Sequence, residues 1–396
     1  MGLIVAPAGG WFKLWDKKRY NRGEVPVSEI ITTPEQITPD WLTTVLRREG
    51  VLEAGQVESV SIETNPAFNS AICHLHVAYG PGSSSGAPQA LVLKCNLSEE
   101  WARRGGKSEV EFYSEVRSWR DELPMIVPCY DAAYDPATED SHLLLLDLSA
   151  SHEPLIIRDE IIALHGVPTE GRLEQVVDIV ARLHAHWWEH PSLVDGTREV
   201  SGWYGTRERF EEHIQRQRRD WDIFLASSGA DLPAGVQSLY QDALELLPVL
   251  WERGLGERVT AGTNMTLAHG DCYLSQFLYP RDGSGTAYLV DWQGASPDLP
   301  TIDLTHLFPT FWTPEQRHER DRERRLLQRY LAALQAQGVA GYDWEALQHD
   351  YRLLLIYMVF YPVWDAVNGS SKAYWWPKMQ CLTSAYRDWA CQELLT

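Results

Sequence analysis

Residues 267–271 read LAHGD, and residues 288–293 read YLVDWQ. The first segment ends an apolar run that turns into a polar loop at Asp271, and the second is a short β-branched strand that ends at Asp291. The two aspartates are 20 positions apart. Two carboxylates at the ends of neighbouring short strands can orient a hydroxyl nucleophile and hold Mg²⁺ on a nucleotide. These segments therefore predict a reaction and a role for each aspartate.

Gln276, five positions after Asp271, adds a third polar side chain to the loop. Asp271 is predicted to accept or orient the proton of an attacking hydroxyl, as a general base does. The amide oxygen of Gln276 and the carboxylate of Asp291 are predicted metal ligands. A His-Gly-Asp segment alone is also typical of a turn with glycine at a strained position. A second aspartate at the end of the following hairpin favours the catalytic interpretation.

The first part of the chain carries strand patterns. Residues 1–37 are predicted to form an irregular arm. The expected elements are a helix at Trp41–Arg48, strands at Val57–Glu63, Ala71–Tyr79 and Ala90–Cys95, a helix at about Lys107–Trp119, and strands at Ile126–Tyr130 and His142–Leu148. This order predicts an antiparallel sheet that carries one helix.

Beyond Asp147, amphipathic helical patterns predominate. The predicted helices are Leu173–Trp188, Arg207–Leu225, Val236–Arg253, Glu315–Gln337, Trp344–Val367 and Pro377–Leu395. The predicted fold class is α+β, with a small antiparallel β-rich lobe over residues 1–148 and a larger, mainly helical lobe over residues 149–396. We expect a ligand site in the cleft between the lobes.

Composition limits the class of partner. The net charge of −20 argues against nucleic acid. An acidic field attracts cations, so it admits a cationic substrate, although acidity can also serve solubility alone. No apolar stretch approaches the roughly 20 residues that span a bilayer, and the N-terminus has no basic signal-peptide region. The six cysteines have no metal-type spacing, so we expect a reduced, cytoplasmic protein. The oligomeric state is left open.

Residues 269–271 (HGD) with Gln276, and residues 291–293 (DWQ), resemble the catalytic loop and metal-binding motif of the aminoglycoside phosphotransferase/choline kinase family. The resemblance is closest to the ecdysteroid-kinase-like branch and extends from the helix after Thr38 to about Phe308. It implies a protein-kinase-like two-lobe fold. It also implies that ATP, with Mg²⁺, phosphorylates a hydroxyl of a small-molecule substrate.

Further positions match the family pattern. Lys94 ends the strand segment LVLK and matches the phosphate-binding lysine, and Glu109 on the following helix matches its ion-pair partner. Glu111 is the alternative partner. Leu146 and Leu148 lie in a segment that resembles the hinge, whose backbone would pair with the adenine edge. The resemblance therefore implies a nucleotide site along the small lobe.

Two positions depart from the family pattern. Gln276 stands where the family usually has asparagine. Glutamine keeps the amide oxygen but adds one methylene. The turn that would cover the phosphates, residues 65–70 (NPAFNS), contains no glycine. Asn69, which tolerates left-handed backbone angles, and Ser70, which can donate a hydrogen bond, are predicted nucleotide contacts there. These departures leave open a specialised kinase and a nucleotide-binding pseudoenzyme.

Three further residues are implied to support the loop. His184, in a Leu-His-Ala segment, and His269 are expected to be structural and to brace the catalytic loop. Asp303 matches a family aspartate that buttresses the site from the next helix.

The helical lobe should supply the substrate pocket. Candidate segments are residues 220–222 (DWD), 361–365 (YPVWD) and 374–376 (YWW). An aromatic wall with acids would suit a cationic or amphipathic substrate, whereas the same residues could also be packing aromatics with solvated acids. The acceptor could be a cationic antibiotic, which implies antibiotic resistance, or a related natural product. A choline- or sugar-type metabolic acceptor is the alternative.

Overall fold

The computed structural model describes residues 29–66, 70–194, 200, 203–229, 232–233 and 235–395. Residues 1–28 of the predicted arm lie outside the described residues, as does Asn69. The described end of the arm is irregular apart from one 3-10 turn at Pro34–Gln36.

The small lobe is an antiparallel sheet with helices packed against it. Its elements are α1 (Pro39–Arg48), β1 (Val57–Pro66), β2 (Ser70–Tyr79), β3 (Ala90–Asn96), α2 (Glu100–Val116), β4 (Cys129–Tyr134) and β5 (Ser141–Leu146). The strand order is β1-β2-β3-β5-β4. Lys94 on the middle strand pairs with Ile72 on one side and Leu143 on the other. Two backbone ladders therefore fix the position of this lysine.

Alternation along β3 gives the sheet its two faces. Leu91 and Leu93 are buried in the core of the small lobe, whereas Val92 and Lys94 point to the opposite face. Because side chains in a strand alternate with period two, one strand supplies both core packing and a lysine facing the other lobe.

The large lobe is mainly helical. Its helices are α3 (Arg158–Ile162), α4 (Glu170–His186), α5 (Arg207–Ser228), α6 (Val236–Leu250), α7 (Gly256–Ala261), α8 (Thr301–Leu307), α9 (Pro314–His318), α10 (Arg322–Ala336), α11 (Trp344–Met358), α12 (Tyr361–Val367) and α13 (Lys372–Asp388). Its short strands are β6 (His152–Pro154), β7 (Thr266–Ala268), β8 (Phe277–Pro280), β9 (Tyr288–Leu289) and β10 (Ser296–Asp298). The predicted α+β two-lobe fold class is confirmed. The division of the chain at residue 148 stays a prediction.

The two lobes have separate apolar cores, but α2 packs into the larger one. Phe112 of α2 belongs to the large cluster and stacks on Trp292, with ring centroids 3.9 Å apart. The helix that carries Glu109 is thereby joined to the loop that carries Asp291. Such aromatic stacking adds to the burial of both rings.

The strand predicted at Ile126–Tyr130 is present, but it begins later than predicted. The observed β4 begins at Cys129, and Ile126 makes only an isolated bridge with Leu289. Pro128 has no backbone N–H to donate to a ladder, so regular pairing starts after it.

Two long predicted helices are each broken in two. Glu315–Gln337 is interrupted at Arg320 and Asp321, which have φ of 52° and 56°. Trp344–Val367 is interrupted before Pro362, which lies in the first turn of α12. Proline cannot donate to the preceding turn, so the second helix begins anew at a position that proline favours.

Two other predicted ends are also corrected. The helix expected at Pro377–Leu395 is α13, which begins five residues before Pro377 and ends at Asp388. The helix predicted at Val236–Arg253 ends at Leu250. The chain then continues into a π-helical turn that contains Gly254 at φ 114°. Within the described ranges, no helix has the length and apolar character needed to cross a bilayer.

Candidate active site

A cleft of about 780 Å³ lies between the lobes. Every predicted site residue that the structure describes lines it, namely Ser70, Lys94, Glu109, Leu146, Leu148, Asp271, Gln276 and Asp291. These residues come from β2, β3, α2, the end of β5 and the loops after β7 and β9. The fold thus brings together side chains that are up to 221 positions apart, from Ser70 to Asp291.

Lys94 joins the two lobes at the back of the cleft. Its Nζ is 2.7 Å from Glu109 Oε2 and 2.8 Å from Asp291 Oδ1. The alternative partner, Glu111, is exposed and lies 3.9 Å from Lys107 instead. Glu109 also accepts the backbone N–H of Trp292 at 3.3 Å. The lysine is thereby fixed between a helix of the small lobe and the loop after β9.

This arrangement favours the charged forms of Lys94 and Asp291. Burial alone would lower the pKa of Lys94, but Glu109 and Asp291 raise it above its ordinary value. Burial alone would raise the pKa of Asp291, but the charge and hydrogen bond of Lys94 hold it below its ordinary value. Asp291 is therefore a carboxylate at neutral pH, the form that a metal ion requires.

Asp303 of α8 holds the loop that carries Asp271 in place. Its Oδ2 accepts the N–H of His269 at 2.8 Å, and its Oδ1 accepts the N–H of Gly270 at 2.9 Å. His184 Nε2 lies 3.0 Å from the same carboxylate, and its Nδ1 lies 2.8 Å from Tyr330 Oη. This fully buried network orients the backbone just before Asp271.

His269 connects the two aspartate loops. Its Nε2 donates to the carbonyl of Val290 at 2.9 Å, and its Nδ1 accepts the N–H of Asp271 at 3.3 Å. Both ring nitrogens are thereby bonded to backbone groups. The residue bonds to backbone on both sides, so the geometry fits a bracing role.

Asp271 is half-buried and faces the cleft. Burial raises its pKa, and the nearby His306 and His269 only partly oppose this effect. A carboxylate with a raised pKa is a stronger proton acceptor than an ordinary aspartate. Asp271 and Asp291 therefore differ in protonation behaviour, as groups with different tasks do.

Gln276 lies next to Asp291. As oriented, its Nε2 is 3.4 Å from Asp291 Oδ2. The nitrogen and oxygen of an amide exchange places by a rotation that keeps the side chain in position. Gln276 can therefore offer either a hydrogen bond to the carboxylate or an oxygen to a cation held beside it.

The segment after β5 is fixed by its own hydrogen bonds. The N–H groups of Leu146 and Asp147 donate to Pro128 and Ala90 at 2.9 and 3.1 Å. The carboxylate of Asp147 binds His74 Nδ1 at 2.8 Å. Leu146 and Leu148 form a rigid apolar wall of the cleft, which suits the flat face of a base.

Only part of the predicted substrate region reaches the cleft. Tyr361, Trp364, Asp365 and Tyr374 line it. Trp375 is instead buried in the helical core. Residues 220–222 do not line the cleft. Trp221 is buried in the helical core and stacks on Tyr240, with ring centroids 4.3 Å apart.

Three lysine or arginine residues of the cleft were not identified in the sequence, namely Arg158, Arg281 and Lys378. Lys378 of α13 is buried, with Nζ 2.7 Å from Asp365 Oδ2, and Arg158 of α3 lies over the ring of Tyr374. Lys378 follows Tyr374 by one helical turn, which places both on one face of α13. That spacing is the signal that could have drawn attention to it.

Comparison with known structures identifies kinases of small molecules as similar proteins. Choline kinase LicA from Streptococcus pneumoniae is 13% identical, with 84% of this chain and 95% of that chain covered and a TM-score of 0.46. An ethanolamine kinase of Plasmodium vivax is 11% identical, with coverage of 84% and 85% and a TM-score of 0.47. Aminoglycoside phosphotransferase APH(3'')-Id from Streptomyces rimosus is 17% identical, with coverage of 75% and 94% and a TM-score of 0.38. The predicted resemblance to this group is confirmed as a similarity.

Residues 257–369 match a family model described as "uncharacterized oxidoreductase dhs-27". The matched part includes Asp271 and Asp291. No curated protein matches the chain. Because the structural TM-scores are below 0.5, the function proposed below rests on the geometry of the cleft.

Proposed function

We propose that this chain is an ATP- and Mg²⁺-dependent O-phosphotransferase that acts on a hydroxyl of a small molecule. One observation carries the proposal: Asp271 and Asp291 line one cleft, and Lys94 joins Asp291 to Glu109 at its back. A site that only binds a nucleotide needs a cation for the phosphates but has no use for a half-buried carboxylate with a raised pKa.

The donor set fits Mg²⁺. The carboxylate of Asp291 and the amide oxygen of Gln276 are hard oxygen ligands, and Asp271 is a third oxygen donor in the same cleft. Among the described residues, no group of three acidic, histidine or cysteine side chains could hold a metal unaided. This agrees with Mg²⁺, which binds through one or two carboxylates together with substrate phosphates. Bound Mg²⁺ would neutralise charge on the phosphate oxygens.

The residues of the chain would then divide the work of transfer. Lys94, held by Glu109, would bind phosphate oxygens, and Leu146 and Leu148 would contact the adenine ring. Asp271 would accept the proton of the acceptor hydroxyl as its oxygen forms a bond to the γ-phosphorus. The bond from that phosphorus to the bridging oxygen breaks, and ADP leaves.

The test combines binding with transfer. ATP and Mg²⁺ together should raise the melting temperature, and incubation with hydroxylated compounds should add one phosphate to an acceptor, detected by mass. Asp271→Asn should lower kcat about 100-fold or more and keep the ATP-dependent thermal shift. Full turnover by Asp271→Asn would refute the assignment of the base.

A nucleotide-binding protein without transfer is the second candidate. Two departures from the family pattern favour it: glutamine at position 276 in place of asparagine, and a phosphate-covering turn without glycine at residues 65–70. This candidate requires the ATP-dependent thermal shift with no phosphate gained by any acceptor. The same two measurements therefore separate the two functions.

A further inference from the structure

The acceptor end of the cleft, between Asp271 and helices α12 and α13, is walled by aromatic rings. Its rings are Tyr273, Phe311, Tyr361, Trp364 and Tyr374. Phe311 lies 5.9 Å from Tyr273 and 6.1 Å from Tyr374 between ring centroids, so the three form a continuous surface. Trp364 is 49% exposed at the mouth of the cleft. Flat apolar walls favour a ring-containing ligand.

Lys378 is a buried cation in this aromatic surface. Its Nζ lies 2.7 Å from Asp365 Oδ2 and 3.2 Å from Tyr374 Oη, and 4.4 Å from the centroid of the Tyr374 ring. An ammonium group has three N–H donors. Across the described residues, only Asp365 and Tyr374 accept hydrogen bonds from Lys378. Lys378 is 1% exposed but lines the cleft, and its Nζ lies 5.3 Å from the centroid of the Phe311 ring, so its third donor has no oxygen acceptor among the described residues.

The charges at this end are balanced. Lys378 and Arg158 are cationic, and Asp365 and Asp271 are the acids that accompany them. Arg158 lies at the rim, 5.6 Å from the centroid of the Tyr374 ring. A site for a polycation needs a surplus of carboxylates, and at this end each of the two acids is matched by a cation.

We propose that Lys378 determines acceptor specificity and that the acceptor is an uncharged, largely apolar ring compound with an oxygen that accepts a hydrogen bond from Lys378. This inference rests on the proposed function and names its substrate class. Cationic alcohols are disfavoured, because they place a like charge beside Lys378 and Arg158.

The test compares two uncharged ring alcohols, chloramphenicol and 1-phenyl-1,2-ethanediol, with two cations, choline and kanamycin. Binding is measured by calorimetry without nucleotide, and transfer is measured by mass with ATP and Mg²⁺. The variant is Lys378→Met combined with Asp365→Asn, because Lys378→Met alone would leave Asp365 buried without its partner. Lys372→Met removes the same charge from an exposed position on α13 and is the matched control.

We expect wild type and Lys372→Met to prefer the uncharged pair. The double variant should bind it about tenfold more weakly, because a hydrogen bond from a charged donor is lost, and its preference over the cations should fall by a similar factor. Trp364→Ala is the second test if the double variant does not fold. Its position is half-exposed, and the variant should also weaken binding of the ring compounds.

The outcomes separate the two proposals. Binding that depends on Lys378, without transfer to any compound, would refute the proposed kinase activity and support the proposed role of Lys378 in acceptor binding. Transfer that favours choline or kanamycin and is unchanged in the double variant would refute the subsite and support the kinase. Failure of both ring compounds to bind wild type would also overturn the subsite.

Discussion

Asp271 and Asp291 are the same residue type in one cleft, yet their surroundings shift their pKa values in opposite directions. Burial raises the pKa of Asp271, with His306 and His269 only partly opposing it. Asp291 is also largely buried, but Lys94 at 2.8 Å lowers its pKa. A proton acceptor and a metal ligand need these different behaviours.

Asp271→Asn should stabilise the protein at neutral pH, by about 1 kcal/mol. Between pH 3.8 and the raised pKa of Asp271, the folded state binds more protons than the unfolded state, so stability falls as pH rises through this window. At pH 7 the ionised, partly buried carboxylate therefore costs stability, and a neutral amide removes that cost. Urea unfolding at pH 7 and below pH 3.8 measures this, and the gain should vanish at the lower pH.

Asp291→Asn is the matched control. Its pKa is lowered, so its ionised form stabilises the fold at pH 7, and the variant should lose stability. Equal effects of the two substitutions at pH 7 would contradict the opposite pKa shifts.

Asp271, Asp291 and Lys94 were identified from the sequence, whereas the ion pair between Lys378 and Asp365 was not. Asp271 and Asp291 each follow a recognisable strand, and Lys94 ends an apolar one. Lys378 and Asp365 are 13 positions apart on different helices, and their contact depends on how α12 packs against α13. No pattern of neighbouring residues encodes that packing, so the buried ion pair is visible only in the fold.

The loop that carries Asp271 is shaped by backbone contacts between elements. Gly270 has φ +78°, and a Cβ placed there would lie 2.3 Å from the carbonyl oxygen of Gly294 in the loop after β9. Asp303 fixes the same peptide from α8. The loop between β7 and Asp271 can therefore reach the cleft only with glycine at this position.

Gly270→Ala should cost about 3 kcal/mol or more, because left-handed strain adds to a backbone clash. Gly283 in the β8–β9 connection has a similar φ of +74° with no atom within 4 Å of an added Cβ. Gly283→Ala should therefore show the strain alone, about 1 kcal/mol. Free energies of unfolding in urea give both values. Equal losses in the two variants would mean that the contact with Gly294 is easily relieved.

Helix existence was predictable from periodicity, but helix breaks were not. The break between α9 and α10 uses left-handed Arg320 and Asp321; aspartate tolerates these angles, but here it stands in a run of charged residues without glycine or proline. Buried Arg317 pairs with Glu323 at 3.0 Å across this break, and that contact fits a bent chain. Apolar periodicity describes one face of a helix and contains no information about such an ion pair.

The two lobes meet around α2 through apolar packing and polar contacts. α2 packs with the small-lobe sheet, and its Phe112 stacks on Trp292 of the large lobe. Its Glu109 binds Lys94 from β3, and Lys94 also binds Asp291. The alignment of the Leu146–Leu148 wall with the loop that carries Asp291 is therefore set at Lys94, where a strand, a helix and a loop converge.

Lys94→Met should cost about 3 kcal/mol of stability and abolish the thermal shift caused by ATP with Mg²⁺. The substitution leaves the carboxylates of Glu109 and Asp291 facing each other without the cation that holds them together, and a broken buried ion pair costs far more than an exposed one. Lys107→Met is the control, since Lys107 is half-exposed and lies 3.9 Å from Glu111, so its loss should stay within about 0.5 kcal/mol. Urea unfolding and melting curves with and without nucleotide measure both effects. If Lys94→Met matched Lys107→Met in both, Lys94 would neither join the lobes nor bind phosphate.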